Sequence, residues 1–124
     1  MLSKVRSRDT VPEIAVRRKL RDLGYGYRIC VKSLPGTPDI VLKSRKKVIF
    51  VHGCFWHRHA GCPRCTTPKS NTHYWFAKFA RNTERDAQAI RHLEEDGWAV
   101  LTIWECQTKH AGLIESILKT FLQE

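Results

Sequence analysis

The stretch VIFVHGCFWHRHAGC, Val48 to Cys62, constrains the fold more than any other part of the chain. Val48 to Val51 is an unbroken apolar run, the mark of a central strand covered on both faces. It breaks at His52-Gly53 into a loop dense in cysteine and histidine. Cys54-x4-His59-x2-Cys62 places three soft or borderline ligands on that loop, and Cys106 ends a later strand expected in the same sheet. Thiolates with an imidazole suit tetrahedral zinc, and three cysteines plus one histidine make a closed structural set. Cys62-Pro-Arg-Cys65 is itself a C-x2-C pair, so Cys65 could replace His59 or Cys62. Cys30, on an expected strand, reads as simply buried. Five cysteines are an odd number in an apparently cytosolic chain, which favours metal ligation or free thiols over a disulfide framework. A zinc deaminase is excluded, because His57-Arg58-His59 lacks the glutamate of H-x-E.

Around this strand the pattern predicts α, three strands, a loop, α, β, α. Thr10-x-x-Glu13 is a capping-box pattern with Pro12 in the first turn, and Glu13, Val16, Leu20 and Leu23 share one helical face as far as Gly24. Strands are expected at Tyr25 to Val31, Asp39 to Leu42 and Val48 to Val51. The first pair flanks the turn Ser33 to Pro38 and the second the basic turn Ser44 to Lys47. A long helix is expected from Thr72 to Asp96, burying Phe76, Phe79, Ala80, Thr83, Ala87, Ile90 and Leu93. A strand then runs from Trp98 to Trp104. The last helix, Ala111 to Leu122, should face Leu113, Ile114, Ile117, Leu118 and Phe121 inward. The fold class expected is α/β: one domain over 1–124, with a central mixed sheet flanked by helices and 1–9 as a basic arm.

Lys and Arg number 22 against 12 Asp and Glu, a formal charge of +10. Such a surface concentrates polyanions, and nucleic acid is the usual partner. No apolar run approaches the roughly 20 residues of a membrane span, and the polar start MLSKVRSRDT shows no signal peptide. An intracellular, cytoplasmic protein without a membrane partner is expected.

Pro38-Asp39 leading a strand, with Val48 to Val51 as the next, is how PD-(D/E)xK nucleases place their first acid. A carboxylate there holds Mg²⁺, which polarises a scissile phosphate and activates water. The usual E-x-K partner is replaced by Val51-His52-Gly53, where only the Val51 carbonyl could bind metal. His52 and His57 could transfer protons near neutral pH. Plainer readings are a turn acid at Asp39, a strand-end histidine at His52, a helix cap at Glu13, and local packing of Phe55 and Trp56.

Several blocks together resemble the very-short-patch-repair (Vsr) endonucleases. They are RDT at Arg8 to Thr10, LPGTPDIV at Leu34 to Val41, VIFVHGCFWHRHAGC, NTERD at Asn82 to Asp86 and VLTIWEC at Val100 to Cys106. The resemblance covers nearly the whole chain, and HGCFWH is its most specific element. It implies a restriction-endonuclease-like fold with a structural zinc site. The activity implied is a strand-specific nick 5′ to the thymine of T:G mismatches left by 5-methylcytosine deamination. It implies Mg²⁺ on Asp39 and the Val51 carbonyl, with His57 as base or water-positioner and His52 and Glu13 in the same site. It also implies Zn²⁺ on Cys54, His59, Cys62 and Cys106. Phe55, Trp56 and Trp75 would wedge into the base stack, with Leu2 and Val5 as wedge positions of the arm. Implied partners are duplex DNA with a T:G mismatch and, as candidates, mismatch-repair proteins. The expected state is a monomeric, nucleoid-associated bacterial-type protein. Two departures stand out: valine at 51, where threonine is common in that family, and the extra thiol of Cys65. The rival readings are a DNA-binding module of this fold and a nuclease for a different DNA substrate.

Overall fold

The computed structural model describes residues 10–123. Leu2 and Val5 therefore lie outside the described residues. The element order is α1 (Val11–Asp22), β1 (Ile40–Leu42), β2 (Lys47–His52), α2 (Thr72–Glu95), β3 (Ala99–Trp104) and α3 (Ala111–Leu122).

The strands form one mixed sheet in the order β1-β2-β3. β1 is antiparallel to β2, with Ile40 opposite Ile49, and β3 is parallel to β2, with Val51 opposite Ile103. β2 is thus central, as its unbroken apolar run predicts. Alternate residues serve two cores. Ile40, Leu42, Ile49 and Ile103 pack with Val16 and Leu20 of α1 and Ile114, Leu118 and Leu122 of α3. Val41, Val48 and Phe50 face the other way, onto Leu93 of α2. The result is a sheet with two helices on one face and one on the other. Leu20 and Leu118 are fully buried; truncating either to alanine costs about 2–5 kcal/mol.

Three expectations from periodicity fail. Tyr25 to Val31 is not a strand: only an isolated bridge joins Arg28 to Val41. Cys30 takes a left-handed φ of +56°, which ends the extended path. The inward face of α2 is turned from the apolar stripe expected. Phe76 is 52% exposed, and Ala80, Thr83 and Ala87 are exposed as well. Phe79, Ala89 and Leu93 are its buried residues, and Asn82 and Asp86 lie half-buried on the same face. Leu113 of α3 is likewise exposed, and Leu122 takes the inward place instead.

One glycine sets how closely the turn before β1 crosses α2. Gly36 has φ +73°, and a Cβ there would stand 2.7 Å from the Cβ of Ala89. Only glycine allows that approach, which brings Pro38-Asp39 in beside β2. No helix among the described residues is long and apolar enough to cross a membrane.

Candidate active site and metal-ligand cluster

Two constellations meet where β2 ends. The first lines a cavity of about 880 Å³ that collects Glu13, Asp39, Val51, His52, His57 and Asp86. These residues come from α1, the start of β1, the end of β2, the following loop and α2.

Asp39 is fixed by its neighbour across the sheet: Oδ2 accepts the Val51 N–H at 2.6 Å. Burial pushes its carboxyl up to about 6, with Glu13 adding repulsion; the Val51 amide, His57 and Arg17 offset part of this. Glu13 is 3% exposed. Its N–H donates to the Thr10 hydroxyl at 3.4 Å, and that hydroxyl donates to Glu13 Oε1 at 3.1 Å. The other carboxylate oxygen pairs with Arg17 at 2.9 Å. Glu13 therefore combines the two readings of the sequence, taking part in the helix cap while lining the Asp39 cavity.

The histidines form a stacked pair, with ring centroids of His52 and His57 3.9 Å apart and planes within 5°. Burial, reinforced by His57, pulls the His52 imidazole down to about 4, so it stays neutral at physiological pH; Asp86 opposes this. His57 Nδ1 lies 2.5 Å from Asp86 Oδ2. With the proton on Nδ1 toward the carboxylate, Nε2 is left as an acceptor. Asp86 was not singled out as a site residue from sequence. The signal that could have found it is its place on the inner face of α2, at helical spacing from Phe79 and Leu93.

A buried acid whose ionisation is opposed by a second acid has the chemistry of a hard-cation site, since a divalent ion reverses both penalties. The residues present thus fit a hard cation at Asp39.

The second constellation is the thiol cluster. One ligand atom from each of Cys54, His59, Cys62 and Cys106 lies within 4.8 Å of the others. Cys106 Sγ is 3.5 Å from His59 Nδ1, matching the edge of about 3.5–3.6 Å implied by tetrahedral bonds of about 2.3 Å to sulfur and about 2.0–2.1 Å to nitrogen. Burial pushes the Cys54 thiol up to about 12, while the Arg64 amide draws Cys62 down. A soft cation would remove the penalty on Cys54. The structure does not bring Cys65 into this set. Cys30 is half-buried at the wall of the cavity. Trp104 links the two centres, stacking on His59 at 4.2 Å and meeting His52 edge-on at 5.4 Å.

Phe55, Trp56 and Trp75 are half-buried and pack together with Phe79. Phe55 meets Trp56 and Phe79 edge-on, each at 5.2 Å, and Trp56 lies 5.7 Å from Trp75. Phe79 and Arg58, neither singled out from sequence as a site residue, complete this group. Lys78 sits 5.6 Å over the Trp56 ring.

A family profile described as DNA mismatch endonuclease Vsr matches residues 1–64. The type II nicking enzyme V.XorIIP of Xanthomonas oryzae is 45% identical over 122 residues, covering 98% of this chain and 89% of that protein. The chain belongs to the Vsr family. The type II nicking enzyme V.NmeAIP of Neisseria meningitidis is 40% identical over 124 residues, covering 100% of this chain and 88% of the relative. The DNA mismatch endonuclease Vsr of Escherichia coli is 42% identical over 102 residues, covering 82% of this chain and 65% of the relative. The family match reaches Asp39, His52, His57 and three of the four thiol-cluster residues. Asp86 and Cys106 lie beyond it, and within the Vsr-family chain they reach the same two centres only through the fold.

Proposed function

We propose that this protein is a Mg²⁺-dependent DNA mismatch endonuclease, stabilised by Zn²⁺, that nicks 5′ to the thymine of T:G pairs. The observation that carries the reading is the joint placement in one cavity of the amide-held Asp39 and the His57–Asp86 pair. Family membership supports it, as does the relation to enzymes named for mismatch cleavage and nicking. The restriction-endonuclease-like fold fits the three-stranded mixed sheet with Asp39 at the start of β1.

Asp39 and the Val51 carbonyl would hold Mg²⁺, which supplies charge stabilisation at the scissile phosphate and a lowered pKa for bound water. Glu13, held by Arg17 and Thr10, lines the cavity beside Asp39. His57 Nε2 accepts the proton of the attacking water, while Asp86 holds the Nδ1 proton and steadies the cation that forms. The water oxygen bonds to phosphorus as the P–O3′ bond breaks, and the departing 3′ oxygen takes a proton from solvent. His52, held neutral by burial, supports the His57 ring face to face. Zn²⁺ on Cys54, His59, Cys62 and Cys106 would lock the loop that carries His57. Phe55, Trp56 and Trp75 would insert beside the mismatch, where unstacking costs least. The net charge of +10 supplies the salt-sensitive hold on the duplex.

The test is nicking of an end-labelled duplex with one T:G pair in a methyltransferase-type site, with Mg²⁺ or EDTA, beside the matched duplex. A Mg²⁺-dependent nick on the thymine strand alone, lost in Asp39→Ala, is expected. Tight binding without cleavage would instead make this a binding module. Equal cutting of both duplexes would remove the mismatch specificity.

A further inference from the structure

Arg58 stands between two histidines with different destinations, His57 at the cavity and His59 at the thiols. Its backbone is left-handed, φ +54°, a region seldom taken by residues with a side chain. Its guanidinium carbon lies 4.1 Å from the ring centroid of Phe79 and 5.5 Å from that of Phe55, both within cation–π reach. One of its terminal nitrogens donates to the Thr66 carbonyl at 3.0 Å and to the Phe55 carbonyl at 3.4 Å. A guanidinium is suited to this place because it offers flat faces to rings and in-plane N–H groups to carbonyls; an ammonium offers only the charge.

Phe79 and Asp86 lie seven residues apart on α2, two turns along one face. Phe55 packs on Phe79 and Trp75, Arg58 on Phe79, and His57 on Asp86. The loop therefore meets α2 as one unit. A shift of the aromatic group along the helix carries His57 with it.

We propose that Arg58 is a positioning and specificity residue, clamping the Phe55–Trp56 pair to Phe79 so that seating of the aromatic wedge and alignment of His57 on Asp86 occur together. This rests on the mismatch-nicking reading, in which those rings enter the base stack. Cleavage becomes contingent on wedge insertion, because the clamp ties the two groups to one helix.

The experiment compares wild-type, Arg58→Ala and Arg58→Lys full-length proteins, each with its zinc content measured. Single-turnover nicking is followed on T:G and matched duplexes, and binding is followed against salt. Acrylamide quenching of tryptophan fluorescence is read on the free proteins. Arg58→Ala should lower the rate on the T:G duplex about tenfold, on the scale of one cation–π contact with its hydrogen bonds. Matched-duplex nicking, matched-duplex binding and the salt slope should not change, so discrimination falls by the same factor. Quenching should rise as Trp56 and Trp75 loosen, and Arg58→Lys should restore part of both effects.

A salt slope reduced by about one, with both duplexes weakened alike, would make Arg58 a phosphate contact and overturn the proposal. Loss of zinc and of thermal stability with the discrimination ratio unchanged would overturn it as well, leaving only a scaffold role. Unchanged quenching with unchanged discrimination would do the same. A wild-type protein that nicks neither duplex refutes the mismatch reading; quenching then decides the clamp by itself.

Discussion

The thiol cluster and the acid–histidine cavity sit side by side at the end of β2, yet they are built in opposite ways. Three of the four cluster residues come from one nine-residue span, Cys54 to Cys62, and the fourth from the 3-10 turn that follows β3, the strand paired with β2. The cavity draws Glu13, Asp39, His52, His57 and Asp86 from separate parts of the chain. The cluster gathers soft donors that a borderline cation can close completely. The cavity gathers hard oxygens and proton carriers and stays open. Local spacing can specify the first; only the fold can assemble the second. The cluster should therefore govern whether the loop has a shape at all, and the cavity whether that shape performs chemistry.

The largest expected effect tests that division from the cluster side. On the zinc reading, Cys106→Ala removes the donor just past β3, and the remaining three leave a tetrahedral set open. The zinc-loaded variant should lose on the order of 3 kcal/mol or more of stability, since structural zinc binding is itself folding free energy. Denaturant unfolding with zinc quantified measures this. Nicking should disappear along with the stability. Asp39→Ala, by contrast, should lose nicking while keeping zinc and a cooperative unfolding transition. A Cys106→Ala protein of unchanged stability would show that the cluster is not a metal staple.

Next in size is the His57–Asp86 pair, on the cavity side. Asp86→Asn keeps the shape but can present an amide N–H to Nδ1, stabilising the tautomer whose proton sits on Nε2. The nucleophilic water then loses its base. Single-turnover nicking should fall by about 10²–10⁴-fold, the usual range for general-base catalysis, with DNA affinity within a few-fold of wild type. A variant at full rate would remove His57 from the base role.

What the sequence made legible follows the same division. The central strand, the local spacing of Cys54, His59 and Cys62 and the Asp39 position could be read from short patterns, because each is set by neighbours in the chain; Cys106 enters only through the expected strand order. The periodicity of α2 points to an inward stripe that is apolar except for Thr83, and it passes over Asp86. Hydrophobicity places Phe76 inward and Asp86 outward. In the structure the polar side chain turns in to meet a histidine, and Phe76 is left in solvent. The strand expected at Tyr25 to Val31 has the right composition, but Cys30 in a left-handed conformation breaks it. Propensity alone does not reveal a residue in the left-handed region.

A subtler comparison uses the opposite charge preferences within the cavity. Asp39 has an ordinary carboxyl pKa of 3.8 when unfolded and about 6 when folded, so the native state holds its proton more tightly. Ionising it removes stability as pH rises through that window. His52 goes from 6.5 unfolded to about 4 folded, so its contribution is complete above 6.5 and is lost as pH falls toward 4. The two slopes oppose each other between pH 4 and 6, and the wild type should show only a shallow net dependence from this pair. Asp39→Asn leaves His52 alone. Relative to wild type it should lose roughly 2 kcal/mol more between pH 6 and 4, at about 1.4 kcal/mol per tenfold change in proton affinity. Acid loss of the thiol-bound ion is common to both proteins and cancels in the difference. Urea midpoints of the two proteins against pH give the measurement. Parallel curves would mean that the Asp39 carboxyl is not held protonated by burial.

The smallest effect bears on where the cluster ends. Cys62-Pro-Arg-Cys65 has the spacing of a metal pair, and sequence alone allows Cys65 to stand in for His59 or Cys62. Its amide instead donates to the Cys62 carbonyl at 2.9 Å, closing a turn, while its thiol stays outside the four-atom set. Cys65→Ser keeps that turn, because the bond comes from the main chain. Stability should stay within about 0.5 kcal/mol of wild type, as for a substitution away from any packed or liganded group. Zinc content and nicking rate should be unchanged. His59→Ala in the same series should lose zinc. If Cys65→Ser lost the ion and His59→Ala kept it, the imidazole would be freed from the cluster and the division between His57 and His59 would have to be redrawn.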